Sequence, residues 1–254
     1  MRHILILGGT SEARQLAGRL AGRSDLKVTL SLAGRTARPA AQPVPVRVGG
    51  FGGTEGLATY LAAQRVDALV DATHPYADTI AAHAATAAAR VSIPILGLRR
   101  PAWIAVPGDR WIEVADVDGA VAALGTVPRR AFLAIGRQEV GAFAAAPQHD
   151  YLIRSVDPVE PPLDVPHANY IVARGPFRED AERALLQQHR IQFVVAKNGG
   201  GQATYGKIAA ARALRISVIM LRRPMLPDVP AAETVEDAVA WLDHAPAPSV
   251  ERGV

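Results

Sequence analysis

Cysteine is absent from all 254 residues. That excludes disulfides, thiolate nucleophiles and thiolate metal sites. Among the seven histidines there is no His-x-His or His-Glu-x-x-His, so no metal centre is expected. No apolar run nears the ~20 residues that span a bilayer, and no membrane partner is expected. The first residues lack the basic, apolar and small-residue order of a secretory signal, which makes the cytoplasm the expected location. Aromatics are also scarce, at 5%. Lysine and arginine give a net charge of +4 but form no blocks, only single arginines and Arg-Arg pairs without interleaved aromatics. Nucleic acid is therefore not an expected partner, whereas a small polyanion is; a merely solvated basic surface is the alternative. None of the five tyrosines has lysine four residues later, which removes the Tyr-x-x-x-Lys pair of short-chain dehydrogenases.

What is present is 49% hydrophobic residues, mostly in Ala, Val, Ile and Leu runs that suit buried parallel strands. Strands are expected at Ile4–Leu7, Val28–Leu32, Val44–Val48, Ala68–Asp71 and Ile95–Leu98, with helices at Ser11–Leu20, Glu55–Ala63 and Asp78–Ala89. A second series has strands at Phe132–Ile135, Tyr151–Arg154, Tyr170–Ala173, Gln192–Ala196 and Val218–Leu221. Its helices lie near Glu179–Gln188, Thr204–Leu214 and Val235–Leu242. The halves echo each other: "IPILGLRRP" (93–101) returns as "ISVIMLRRP" (216–224), and "VDGAVAAL" (117–124) as "VEDAVAWL" (235–242). The expected fold is α/β: two related Rossmann-like units with parallel sheets and a ligand cleft between them at the strands' carboxyl ends. The expected domains are 1–128, binding the nucleotide, and 129–254, joined around Gly125–Arg129 with Pro128 in the link.

The stretch "HILILGGTSEARQLAGRL" (3–20) runs from an apolar strand through glycines into a helix. In register, Gly8, Thr10 and Ala13 spell G-x-T-x-x-A where a dinucleotide fingerprint has G-x-G-x-x-G. Gly8 and Gly9 supply the turn, and Thr10 and Ser11 offer hydroxyl and N–H donors to a phosphate at the helix N-terminus. Glu12 opposes a bare phosphate there and instead suits a sugar hydroxyl, an amide or a cap. The competing reading is a plain N-cap at Thr10 or Ser11 after a glycine turn.

One strand later the chain reads Gly34, Arg35, Thr36, where an NAD-binding protein places Asp or Glu. An arginine there forks onto a 2′-phosphate with charge-assisted bonds. The two loops together point to NADPH. The glycine-dense "GGFGGTEG" (49–56) offers Gly50 around the adenosine or pyrophosphate and Phe51 against a ring, with Thr54 as helix cap; a flexible turn is the alternative.

Five ordered motifs, "ILGGTSEARQLA", "SLAGRT", "DATHPYA" (71–77), "RGPF" (174–177) and "KNGGGQATYGKIAAA" (197–211), resemble the precorrin-6A reductases of corrin biosynthesis. The resemblance runs from residue 3 to about 224. It implies NADPH-dependent reduction of one ring double bond in precorrin-6A to give precorrin-6B, with cobalt-precorrin-6A as an alternative substrate. A non-catalytic NADPH sensor is the alternative of another class. The implied partner is a polycarboxylate tetrapyrrole, and the protein is expected as a monomer.

Within that reading, Ala72 and Thr73 lie along the cofactor, and His74 and Tyr76 are candidate proton donors, since a histidine titrates near neutrality. Pro75 opens the following helix, and Asp71 steers its neighbours or caps the turn. His74, Pro75, Tyr76, Gly136, Arg137, Lys197, Gly199, Gly200 and Gly201 are the candidate substrate contacts. Arg154, Arg174 and the pairs Arg99/Arg100 and Arg222/Arg223 are further candidate partners for carboxylates.

Overall fold

The computed structural model describes residues 1–34 and 40–244. Its described residues form two parallel six-stranded sheets of identical plan. The first contains β1 (Arg2–Leu7), β2 (Leu26–Leu32), β3 (Val46–Val48), β4 (Ala68–Asp71) and β5 (Ile95–Leu98). The second contains β6 (Trp111–Val114), β7 (Arg130–Ala134), β8 (Asp150–Ser155), β9 (Ala168–Val172), β10 (Phe193–Lys197) and β11 (Ser217–Leu221). A two-residue strand, β12 (Ala231–Ala232), returns to the first sheet. The orders are β12-β5-β4-β1-β2-β3 and β6-β11-β10-β7-β8-β9. In each sheet the chain steps outward one way from an inner strand, β1 or β7, and then outward the other way, which is the doubly wound pattern.

Among the described residues seven α-helices accompany the strands: α1 (Ser11–Leu20), α2 (Gly53–Ala63), α3 (Asp78–Arg90), α4 (Val117–Leu124), α5 (Glu179–Gln188), α6 (Gly206–Ala213) and α7 (Val235–His244). A 3₁₀ helix at Val140–Ala145 follows β7. The period-2 geometry of β1 decides how the helices cover the first sheet. Ile4 and Ile6 pack with Leu16, Ala17 and Leu20 of α1 and with Ala238 and Leu242 of α7. Leu5 and Leu7 face the other way, onto Leu57 and Leu61 of α2 and Ala84, Ala87 and Ala88 of α3. In the second sheet Phe132, Val194, Ala196 and Met220 pack with Leu186, Ile208, Ala210 and Ala211 of α5 and α6. Strands buried on both faces read as unbroken apolar runs, which is why β1, β4 and β5 stand out in the sequence.

The division of the chain corrects the expected boundary at 128/129. One unit comprises Met1–Arg100 and the chain from Pro224; the other is Pro101–Arg223. Pairing explains the exchange. β6 continues the second sheet beside β11, with Val218 opposite Trp111 and Leu221 opposite Val114. β12 closes the first sheet beside β5, with Ala231 opposite Gly97. Each half of the sequence thus gives its last strand and helix to the other unit, and both crossings fall in the repeated Leu-Arg-Arg-Pro motif. The glycine and proline expected to mark a linker lie inside the second unit, where Gly125 (φ +75°) caps α4.

Three local expectations also change. Helix α2 starts at Gly53, with Gly52 rather than Thr54 at its cap. Helix α3 starts at Asp78, so Pro75 lies within the preceding turn, closed by Ala77 N–H donating to the His74 carbonyl at 2.7 Å. Helix α6 starts at Gly206, two residues later than the expected Thr204.

Candidate functional site

In the first unit the order reverses between β1 and β4, and the loops after these strands open the crevice where doubly wound sheets take ligands. Leu7 and Asp71 are in register at the strand ends, and Ala72 N–H donates to the Leu7 carbonyl at 2.9 Å. Gly8 is demanded by packing, because a β-carbon there would stand 2.6 Å from Leu30 Cδ1. Gly9 is demanded by conformation: its φ is +124°, and its missing β-carbon would meet nothing within 4 Å. That open backbone next to a helix N-terminus is the feature a pyrophosphate needs.

Thr10 turns inward. Its hydroxyl donates to the Ala72 carbonyl at 2.7 Å and accepts from Ala13 N–H at 3.1 Å. The expected phosphate-donating hydroxyl is therefore spent on capping α1 and on tying the β1 loop to the β4 loop. Ser11 donates to Glu12 at 2.9 Å, so its hydroxyl proton is also committed. Donors for an anion remain in the N–H groups of Ser11 and Glu12, which by position have no carbonyl four residues back in the helix. Glu12 itself is held by Arg100, at 2.5 Å, with side chains only 21% and 15% exposed. This pairing offsets the carboxylate that would oppose a phosphate.

Beyond β4, Asp71 is buried and accepts from both the N–H (3.2 Å) and the hydroxyl (2.7 Å) of Thr73. The Thr73 hydroxyl thereby presents lone pairs, not a proton, to any ligand. His74 is exposed, and its Nδ1 accepts from Tyr76 N–H at 3.3 Å. A backbone N–H can only donate, so the neutral imidazole carries its proton on Nε2. The His74 and Tyr76 rings lie 5.6 Å apart, and Pro75 between them is buried.

Arg47 was not anticipated. Its guanidinium donates to the carbonyls of Gly49 (2.5 Å) and Gly50 (2.7 Å) and stacks 3.8 Å over Phe51. Phe51 also meets Tyr60 edge-on at 5.2 Å. The Phe51 face expected against a cofactor ring is thus used to fix the loop after β3, and Gly56 completes the lock because a β-carbon there would stand 1.7 Å from the Phe51 carbonyl oxygen. Gly34 (φ +75°) adopts a conformation that glycine favours. Arg35 and Thr36 lie outside the described residues.

In the second unit the corresponding reversal lies between β7 and β10. There Gly136 (φ +96°) turns the chain and Arg137 is exposed, but a 3₁₀ helix replaces the α-helix that would supply an aligned N-terminus. Lys197 forms an ion pair with Glu139, so the anion expected beside it is in part supplied by the protein. The loop Gly199–Gly201 is neither a free anion cradle nor slack. Gly199 and Gly200 are buried, and a β-carbon at Gly200 would lie 2.2 Å from the Pro101 carbonyl oxygen. Arg154 also departs from expectation. It is buried in a two-bond pair with Glu182 at 2.5 and 2.8 Å, and is no carboxylate-binding residue of an open edge. Among the described residues no group of three or more His, Asp or Glu could hold a metal ion, and no helix is long and apolar enough to cross a membrane.

Residues 3–243 match the family model "Precorrin-6x reductase CbiJ/CobK". The chain belongs to this family. A precorrin-6A reductase from Sinorhizobium sp is 54% identical over 246 residues, covering 97% of this chain and 94% of the relative. A solved structure of CobK precorrin-6A reductase superposes with a TM-score of 0.92 at 46% identity, over 100% of both chains. A cobalt-precorrin-6A reductase from Priestia megaterium is 29% identical over 252 residues, covering 94% of this chain and 97% of the relative. The family resemblance read from the five motifs is thus upheld across nearly the whole chain. The residues that sequence reasoning passed over, Arg47 and Glu139, are charged groups whose partners are the carbonyls of the following loop or an opposite charge on a neighbouring strand; Arg100, expected as a carboxylate partner, meets the protein's own Glu12. For Glu12 and Glu139 the repeat offered a signal: each stands five positions beyond the last residue of the corresponding strands β1 and β7, Leu7 or Ala134.

Proposed function

We propose that the protein reduces one ring double bond of metal-free precorrin-6A with NADPH, adding a hydride and a proton to give precorrin-6B. The observation that carries this reading is the full-length identity to a precorrin-6A reductase, which far exceeds that to a reductase named for the cobalt-containing substrate. The first unit's crevice fits the cofactor on its own terms. Gly9 leaves open backbone beside a helix N-terminus, and the neighbouring carboxylate is neutralised by Arg100. In the second unit the carboxylate Glu139 is likewise paired, with Lys197, but the turn at Gly136 leads into a 3₁₀ helix instead of an α-helix N-terminus.

On this reading Gly8, Gly9 and the N–H groups of Ser11 and Glu12 hold the pyrophosphate, and Arg35 with Thr36 takes the 2′-phosphate. Gly34 and Gly50 shape the adenosine side, with Arg47 and Phe51 holding that loop in place. Ala72 and Thr73 border the nicotinamide, where the Thr73 oxygen suits an amide N–H. Bound NADPH supplies the hydride. His74 holds a proton on Nε2 at the mouth of the same crevice and delivers it to the ring; Tyr76 fixes that tautomer through its backbone. Arg137 and Lys197 serve the peripheral carboxylates of the macrocycle, and Glu139 keeps Lys197 in place. Orientation and electrostatics are the protein's main contribution, as in other nicotinamide enzymes.

The test is NADPH consumption, followed by loss of reduced-nicotinamide absorbance, with metal-free and cobalt-bound precorrin-6A supplied separately and NADH as the cofactor control. The reading requires turnover of the metal-free substrate with NADPH. Binding of NADPH without its oxidation would identify a sensor, and exclusive turnover of the cobalt form would reassign the substrate.

A further inference from the structure

Residues 101–107, Pro-Ala-Trp-Ile-Ala-Val-Pro, are seven consecutive apolar residues in a segment without helix or strand, and all but Trp103 are exposed. Ile104 is 81% exposed and Val106 42% exposed. A contiguous apolar surface of this kind on a soluble protein marks a binding site more often than an accident. The segment is also held firmly. Trp103 donates its N–H to Asn198 Oδ1 at 2.8 Å and accepts from Asn198 Nδ2 at 2.9 Å through its carbonyl. Its indole N–H donates to the Gly201 carbonyl at 2.8 Å, and its ring packs against the core of the second unit. Arg223 reaches the Pro101 carbonyl at 3.2 Å, and Val106 N–H donates to Asp109 at 2.9 Å. Asp109 is in turn paired with Arg212 at 2.8 Å. A half-buried indole and bonds at both ends thus display an aliphatic side chain to solvent in one fixed position.

We infer that this strip is the apolar platform on which the flat face of the tetrapyrrole lies, with Ile104 as its central contact. The inference rests on the substrate class proposed above. Three observations select this occupant. The strip is bonded directly to Asn198 and Gly201, in the loop that follows β10, so it stands at the carboxyl edge where open α/β sheets receive ligands. It adjoins cations suited to peripheral carboxylates: Lys197 precedes Asn198, and Arg137 follows the neighbouring strand. It is also too small for a stable protein partner, which needs about 20–30 residues on each side. A rigid apolar strip bordered by cations matches a conjugated macrocycle with an apolar face and a charged rim. The triple glycine acquires a role as well: it lets the loop approach Pro101 closely enough to seat the platform, as the absent β-carbon of Gly200 shows.

The test compares the protein with Ile104→Asn, which keeps approximate size and removes apolar character, and Ile104→Leu, which keeps both. Binding of precorrin-6A without NADPH is measured by absorbance titration, alongside KM for each substrate. Burying an isoleucine side chain is worth a roughly 10- to 100-fold change in affinity. Ile104→Asn should therefore raise the Kd and KM for precorrin-6A by that factor and leave KM for NADPH unchanged, and Ile104→Leu should restore binding. An unchanged Kd in Ile104→Asn overturns the inference. An equal rise in both KM values also overturns it, since the surface would then serve the cofactor. A change of oligomeric state on sedimentation would assign the strip to a contact between copies and overturn it too. Failure of the functional reading looks different: the unmodified protein would bind precorrin-6A, weakened by Ile104→Asn, yet consume no NADPH.

Discussion

Glu182→Gln should strip the protein of much of its stability while leaving its affinity for either ligand intact. Arg154 sits in β8 with its guanidinium bonded twice to Glu182, the two side chains being 7% and 4% exposed. Its Cζ lies 3.7 Å from the Phe177 ring centroid and 4.8 Å from that of Phe132, so aromatic faces complete the shell. A guanidinium has only donors to offer. Glutamine keeps one acceptor oxygen but turns the other into an NH2 group, which sets donor against donor and leaves the cation without a counter-charge. Removing one partner of a buried pair costs about 3–5 kcal/mol, against about 0–1 kcal/mol for an exposed pair. That is a large share of a typical ~5–15 kcal/mol. The double variant Arg154→Met, Glu182→Leu removes both charges, so it should recover most of the loss. Urea unfolding of the protein, Glu182→Gln and the double variant reads both changes, and the slope with denaturant should stay constant. A loss below about 1 kcal/mol in Glu182→Gln would mean that water already screens the pair. A rise in KM for the tetrapyrrole at unchanged stability would return Arg154 to the role of a ligand contact.

Three further outcomes are expected. His149 is fully buried, accepts from Arg129 N–H at 3.1 Å and contacts the Gly125 carbonyl at 3.1 Å through Nε2, and burial holds its pKa below the usual 6.5. The unfolded chain then takes up the proton first as pH falls below about 6.5, so the stabilising contribution present above that pH is lost in acid; unfolding curves from pH 8 to 5 should show this slope, and its persistence in His149→Asn would assign it elsewhere. His74→Ala should lower kcat by about 10²–10⁴-fold with little change in precorrin-6A binding, and an unchanged kcat removes it as the proton donor. Arg35→Ala should weaken NADPH by roughly one to two decades, from the loss of about 1.5–3 kcal/mol in a charged hydrogen bond, while NADH is barely affected; equal losses for both cofactors would refute the 2′-phosphate contact.

What was legible in the sequence was what depends on neighbours along the chain. Strands β4 and β5 and helices α1 and α5 fall on their expected limits, because unbroken apolar runs and a threonine cap are local signals. Strand β6 left no such trace: at the sheet edge it exposes Ile112 and Glu113, and the two residues of β12 are too few to show a period. The exchange of final arms between the units was hidden for a different reason. A repeat records the order of elements, and the same order serves an arm packed at home or one packed on the other unit; only the pairing of β6 with β11 and of β12 with β5 tells them apart. The site divides along the same line. Gly9 was readable because a tight turn before a helix restricts the residue type whatever surrounds it, whereas Gly8 answers to Leu30 on the neighbouring strand. The tasks of Thr10, Lys197 and Arg154 were not, because each is set by a partner distant in the chain: the Ala72 carbonyl, Glu139 and Glu182. A polar residue at a strand end is equally able to serve a ligand or a neighbouring loop. Where folding brings a matching group within bonding distance, that residue's first role is to shape the site, and ligand contact passes to groups such as the Gly9 backbone that the fold leaves open.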